Sequence, residues 1–188
     1  MKEIIQKAEE YALAEIEKYG TPIPEHFLLA NKKGQEIAEK MKVDKDIVFL
    51  GTILMDLKLG ECMKEGKLEE HVQRSSKAAK VILSALPKEK MERVINCIEA
   101  HHKKIPFLCK EAEVVANADC YRFLHPRGVF AYIKMLDKRY SELAKALTQL
   151  EYKMDEKWNV LTIDSCKEEL ELYYNQFKEL IATAKQIT

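Results

Sequence analysis

Apolar residues recur every three or four positions along almost the whole of this chain, and little in it can interrupt a helix. Only 6 Gly and 5 Pro punctuate 188 residues. No stretch alternates apolar and polar residues as a half-buried strand would. The pattern therefore predicts an all-α bundle. A first helix spans about 2–18, with Ile4, Ile5, Ala8, Tyr11, Ala12 and Ile16 as its stripe. Gly20-Thr21-Pro22-Ile23-Pro24 breaks it, and Pro24 suits the first turn of a second helix running to about 41. Asp44 is placed to cap a third helix, whose Ile47, Val48, Leu50, Ile53, Leu54 and Leu57 leave it apolar on nearly all sides and hence central.

Residues 60–66 read as a loop. A fourth helix holds Val72, Ala78, Ala79, Ile82 and Leu83 and stops before Pro87. Pro87 opens a fifth, ending near 103. A sixth holds Ala112, Val115, Ala116 and Ala118, and a seventh runs from Pro126 to about 150. Ser165 and Glu168 have capping-box spacing for a last helix ending near 184. A bundle of about seven to nine helices results, and a chain of this length suits a single domain.

Composition narrows the function. Apolar residues make up 47% and charged residues 33%, as in a globular protein. Lys plus Arg and Asp plus Glu both number 31, so no excess charge exists to grip a nucleic acid backbone. No apolar run approaches the ~18 residues of a membrane span, and Lys2 and Glu3 argue against a signal peptide. Cys62, Cys97, Cys109, Cys120 and Cys166 are dispersed without a CxxC pair, which favours reduced thiols in the cytoplasm over disulfides or structural zinc.

The candidate chemistry lies in histidines and aspartates. His26 falls in the first turn of the second helix, Asp56 near the end of the buried third, and His71 at the start of the fourth. His101 and His102 close the fifth, and Asp119 lies inside the sixth. Carboxylates in apolar runs need a compensating charge, which a metal ion can supply. Each residue also has a plainer reading. Asp56 can bind backbone amides or a lysine, Asp119 can pair with Arg122 three residues on, and His26 and His71 can be solvated. Adjacent residues on a helix diverge by roughly 100°, so His101 and His102 would not readily face one site together. His125, before Pro126, reads as a loop residue.

His26, the stretch GQEIAEKMKVDKDIVFLGTILMD, His71 in EEHVQRSSKAAKVIL, the segment IEAHHKK and the segment EAEVVANADCYRFL together resemble the HD-domain superfamily of metal-dependent phosphohydrolases. The resemblance covers about 24–124, taken as the core of an HD-like domain spanning 1–188, with helices of 126–188 packing on it. One departure stands out. Where that superfamily has His-Asp, this chain has Met55-Asp56, and the Gly-Lys that often follows is replaced by Leu57-Lys58-Leu59-Gly60. A thioether is a poor ligand for hard ions.

The resemblance implies one or two divalent ions (Fe, Mn, Zn, Ni or Co, with Mg also possible). The first would sit on His26, Asp56 and Asp119, lacking one imidazole. The second would sit on Asp56, His71 and His101 or His102. Asp56 and Lys58 become the candidate catalytic residues, and Lys58, Arg74 and Arg122 candidates for holding a phosphate. The expected activity is hydrolysis of a nucleotide or another small phosphoester by a monomer or homodimer. The alternatives are a degenerate HD domain that binds metal, nucleotide or protein without chemistry, a di-iron oxygenase, and a structural helical module in which His26, Asp56 and Asp119 do not converge.

Overall fold

The computed structural model describes residues 2–186. Its order is α1 (Lys2–Tyr19), α2 (Pro24–Met41), α3 (Lys45–Leu54), α4 (Leu59–Glu65), a 3-10 turn (Leu68–Glu70), α5 (His71–Ile82), α6 (Lys88–Ala100), α7 (Lys110–Leu124), α8 (Pro126–Asp137), α9 (Leu143–Val160) and α10 (Asp164–Lys185). No strand occurs among the described residues, and the fold is all-α.

Two helices form the centre. Seven of the ten residues of α3, from Ile47 to Leu54, are buried, as the apolar character of that segment on all sides requires. Asp44 caps it, its carboxylate accepting from the amides of Asp46 at 3.0 Å and Ile47 at 3.3 Å. Helix α7 is more enclosed still, and α2, α3, α6, α8, α9 and α10 all pack on it. Gly51 sets the approach of α3 to its neighbours. A Cβ there would come within 2.7 Å of Cys97 Cβ on α6 and 2.8 Å of Val115 Cγ2 on α7. Three backbones therefore close together just where each is about to present a polar side chain.

The structure departs from the sequence reading at four points. Residues 60–66 are mostly helical rather than a loop, because Gly66 at φ 70° closes α4 with a left-handed cap. The helix begun at Pro126 stops at Asp137. Helix α9 packs back on both α7 and α8, which one straight helix could not do. Helix α6 ends at Ala100 rather than near 103, and Lys103 turns the chain with φ 55°. Ser165 and Glu168 do not form a capping box. Asn117 Oδ1 instead accepts from the amides of Thr162 and Ile163, each at 3.1 Å, and fixes the entry to α10 from the side of α7.

Candidate metal centre

Three segments converge beneath α7. The turn between α3 and α4 carries Asp56, and the Lys58 amide ties that turn to α5 by donating to Ser75 Oγ at 2.9 Å. His71 is the first residue of α5, and His101 and His102 lie in the turn after α6. One ligand nitrogen from each of the three histidines falls within 4.8 Å of the others. His101 keeps helical backbone angles at the end of α6, yet its ring lies 4.0 Å from that of His102. Both therefore face one centre, contrary to the expectation from helical spacing. Asp56 Oδ1 lies 3.6 Å from His71 Nε2 and 3.8 Å from His101 Nε2.

The ring protons follow from the partners. His71 Nδ1 sits 2.6 Å from the Leu68 carbonyl and His101 Nδ1 2.7 Å from the Ile98 carbonyl. A carbonyl only accepts, so both Nδ1 atoms carry the proton and both Nε2 atoms carry a lone pair. His101 is 1% exposed, and its Nε2 has no hydrogen-bond partner among the described residues. A buried nitrogen lone pair left unused is what a metal ligand looks like before it is engaged. Burial, with His102 beside it, holds His101 down to about 3, so it is neutral at ordinary pH and ready to ligate.

His102 Nε2 lies 3.3 Å from His71 Nε2 and must donate to it, so its Nδ1 accepts from Lys157 Nζ at 2.9 Å. Glu156 Oε1, 3.2 Å from the same Nδ1, can take the proton in the other tautomer and free Nε2 for an ion. Three imidazoles and one carboxylate oxygen thus form a donor set that could hold a metal ion.

Asp119 belongs to a second group. Its Oδ1 lies 2.7 Å from Arg122 Nη1, the pairing that their spacing of three allows, and its Oδ2 lies 2.5 Å from Lys157 Nζ. Arg122 Nη1 also reaches Asp56 Oδ2 at 2.6 Å. Burial alone would raise both carboxyls, but Arg122 at Asp56, and Lys157 then Arg122 at Asp119, hold them below the usual carboxylate range.

His26 is only 3% exposed, so it is not a solvated residue. Its Nε2 donates to the Gly128 carbonyl at 2.9 Å, and its ring packs edge-on against Phe123 at 5.0 Å. Gly128 is needed there, since a Cβ would meet the Arg122 carbonyl oxygen at 2.4 Å. Burial, reinforced by Arg122, keeps His26 neutral, down to about 3. Lys58 turns toward Glu15 and Glu61, each at 3.1 Å, and Arg74 is paired with Glu61, Glu65 and Glu70. Neither reaches the centre, because nearer carboxylates hold them. His125 caps α8, its Nδ1 accepting from the Arg127 amide at 3.3 Å.

Lys157 and Glu156 were not among the expected site residues. A signal existed, because Leu150, Met154, Lys157 and Leu161 share one helical stripe whose other members are buried. A lysine on such a stripe needs a carboxylate opposite it.

A cleft of about 130 Å³ opens over the centre. Asp56, His71, His102, Asp119, Arg122 and Lys157 form its polar wall, and Ile23, Leu59, Met63, Leu68, Phe123 and Met135 its apolar one. Arg139 and Lys153 line it as well. No described helix is long and apolar enough to cross a membrane.

Neither a protein-family profile nor a curated protein matches the chain. Among solved structures, the crystal structure of Bacillus subtilis YpgQ is similar, with a TM-score of 0.67 over 98% of this chain and 95% of that one. The identity is 17%, so the likeness is one of fold.

Proposed function

We propose that this chain is a divergent HD-domain metal-dependent phosphohydrolase acting on a small phosphoester, with a nucleotide as the first class to try. The observation that carries the reading is the convergence of the His71, His101 and His102 ligand nitrogens within 4.8 Å, beside Asp56 and at the foot of a cleft. His71, His101, His102 and Asp56 would hold the ion. A divalent transition ion there would supply Lewis acidity and a water of lowered pKa.

The remaining work falls to the chain's own groups. Arg122 and Lys157 border the cleft with N–H donors suited to an anionic ligand. Glu156 and Lys157, on either side of His102 Nδ1, set the ring's tautomer. The apolar wall takes the uncharged part of the ligand and limits water. Among transition metals, Mn, Fe, Co, Ni and Zn all suit such a donor set.

The test is a panel of phosphomonoesters, phosphodiesters and nucleotides, assayed with protein loaded with each metal in turn. Turnover that falls at least a hundredfold in Asp56→Asn, with the fold intact by circular dichroism, supports the reading. No turnover with any metal rejects catalysis.

A second reading has its own support. Met55 is 2% exposed in place of the expected imidazole, and Arg122 already bridges the two aspartates. The chain would then be a binding module that holds an ion and an anionic ligand without cleaving it. Retained metal and ligand affinity with no turnover would favour it.

A further inference from the structure

The Asp56–Asp119 pair, where a first ion would be expected, is already neutralised from within. Arg122 Nη1 lies 2.6 Å from Asp56 and 2.7 Å from Asp119, and Lys157 Nζ lies 2.5 Å from Asp119. All four residues are at most 6% exposed. Two carboxylates and two cations sum to zero, and a divalent ion added among them would leave two positive charges uncompensated in the interior. The nitrogen donor expected on that side is also engaged, since His26 Nε2 donates to the Gly128 carbonyl, and Met55 contributes a thioether.

The histidine side is the opposite case. His101 Nε2 has no hydrogen-bond partner among the described residues, and Asp56 Oδ1 faces it at 3.8 Å. Asp56 thus divides its oxygens, Oδ2 toward the guanidinium and Oδ1 toward the imidazoles.

We infer that Arg122 and Lys157 replace an ion at the Asp56–Asp119 pair, so that this chain holds one ion rather than two, and that the Arg122 guanidinium donates hydrogen bonds to an anionic ligand. Arg122 is fitted to both tasks. A guanidinium does not deprotonate in a protein and binds carboxylate and phosphate by the same fork of donors. While Nη1 serves the aspartates, Nε remains buried without a partner on a side chain that borders the cleft. This inference rests on reading the histidine cluster as a metal centre, and its test separates the two.

Native protein, stripped and titrated with Mn²⁺, is followed by elemental analysis and electron paramagnetic resonance. One equivalent with an uncoupled single-ion spectrum is expected. Two equivalents, or an exchange-coupled pair, would overturn the inference and leave the metal centre standing. No uptake would remove the metal centre and the inference together.

Inorganic phosphate is then titrated into the Mn²⁺-loaded protein. Arg122→Met, checked for folding by its melting curve, should bind phosphate at least tenfold more weakly, and Arg122→Lys should recover part of that loss. Unchanged phosphate affinity in folded Arg122→Met would overturn the role given to the guanidinium. Should Arg122→Met not fold, the stoichiometry and spectrum of the native protein decide the inference.

Discussion

An ammonium group 1% exposed survives only where carboxylates face it, and Lys157 has Asp119 at 2.5 Å and Glu156 at 3.4 Å. Burial would lower its pKa, but Asp119, Cys120 and Glu156 together raise it above the ordinary lysine value. Removing one partner of such a pair strands the other. Lys157→Met should therefore destabilise the protein by about 3–5 kcal/mol in urea unfolding; a loss below about 1 kcal/mol would mean the ion pair is not buried as drawn. The neutral histidines give a pH signature. His26 and His101 are held to about 3 against an ordinary 6.5. Below pH 6.5 the unfolded chain takes up protons that the folded chain refuses, so each histidine removes about 1.4 kcal/mol of stability per pH unit. Their contribution is lost progressively from about pH 6.5 downward. Metal-stripped protein unfolded at pH 7.5, 6.5, 5.5 and 4.5 should show that decline, and His26→Gln should make it shallower. Stability constant from pH 7.5 to 4.5 would contradict the burial of both rings.

At the scale of elements, the site depends on how closely α3, α6 and α7 approach. Gly51 is the position where they touch, so Gly51→Ala must push Cys97 or Val115 aside. A cost of about 1–3 kcal/mol is expected, with weakened metal uptake because Asp56 and His101 leave the same helices. Full metal affinity in a destabilised Gly51→Ala protein would show that the centre tolerates movement of its frame. The helices themselves were readable from the sequence wherever local chemistry set them, as with Pro24 opening α2 and Asp44 capping α3. What was not readable depended on distant partners. The break between α8 and α9 follows from packing against α7, and the start of α10 is held by Asn117 rather than by Ser165. The approach of the His101 and His102 rings to 4.0 Å mattered most, and helical spacing did not announce it.

Taken whole, the molecule gathers polar side chains from α5, α7, α9 and the turns after α3 and α6 into an otherwise apolar interior. Asp56, His71, His101, His102 and Asp119 could be picked out in sequence, since ionisable groups in apolar runs demand a reason. What fills the Asp56–Asp119 group could not. It turns on Arg122 bridging the aspartates and on His26 being taken by a backbone carbonyl, contacts between residues 66 and 102 positions apart. Lys58 and Arg74 looked close to the ligands along the chain, yet nearer glutamates hold them.

The central claim is that His71, His101 and His102 with Asp56 form a metal centre. Its most direct test is elemental analysis of native protein and of His101→Ala, both purified without added metal or nickel resin and then equilibrated with one equivalent of Mn²⁺ or Zn²⁺. About one ion per native chain is expected, with a loss of at least tenfold in affinity for His101→Ala. Equal metal content in the two proteins would contradict it, because His101 Nε2, buried and without a partner among the described residues, would then have no part in holding the ion.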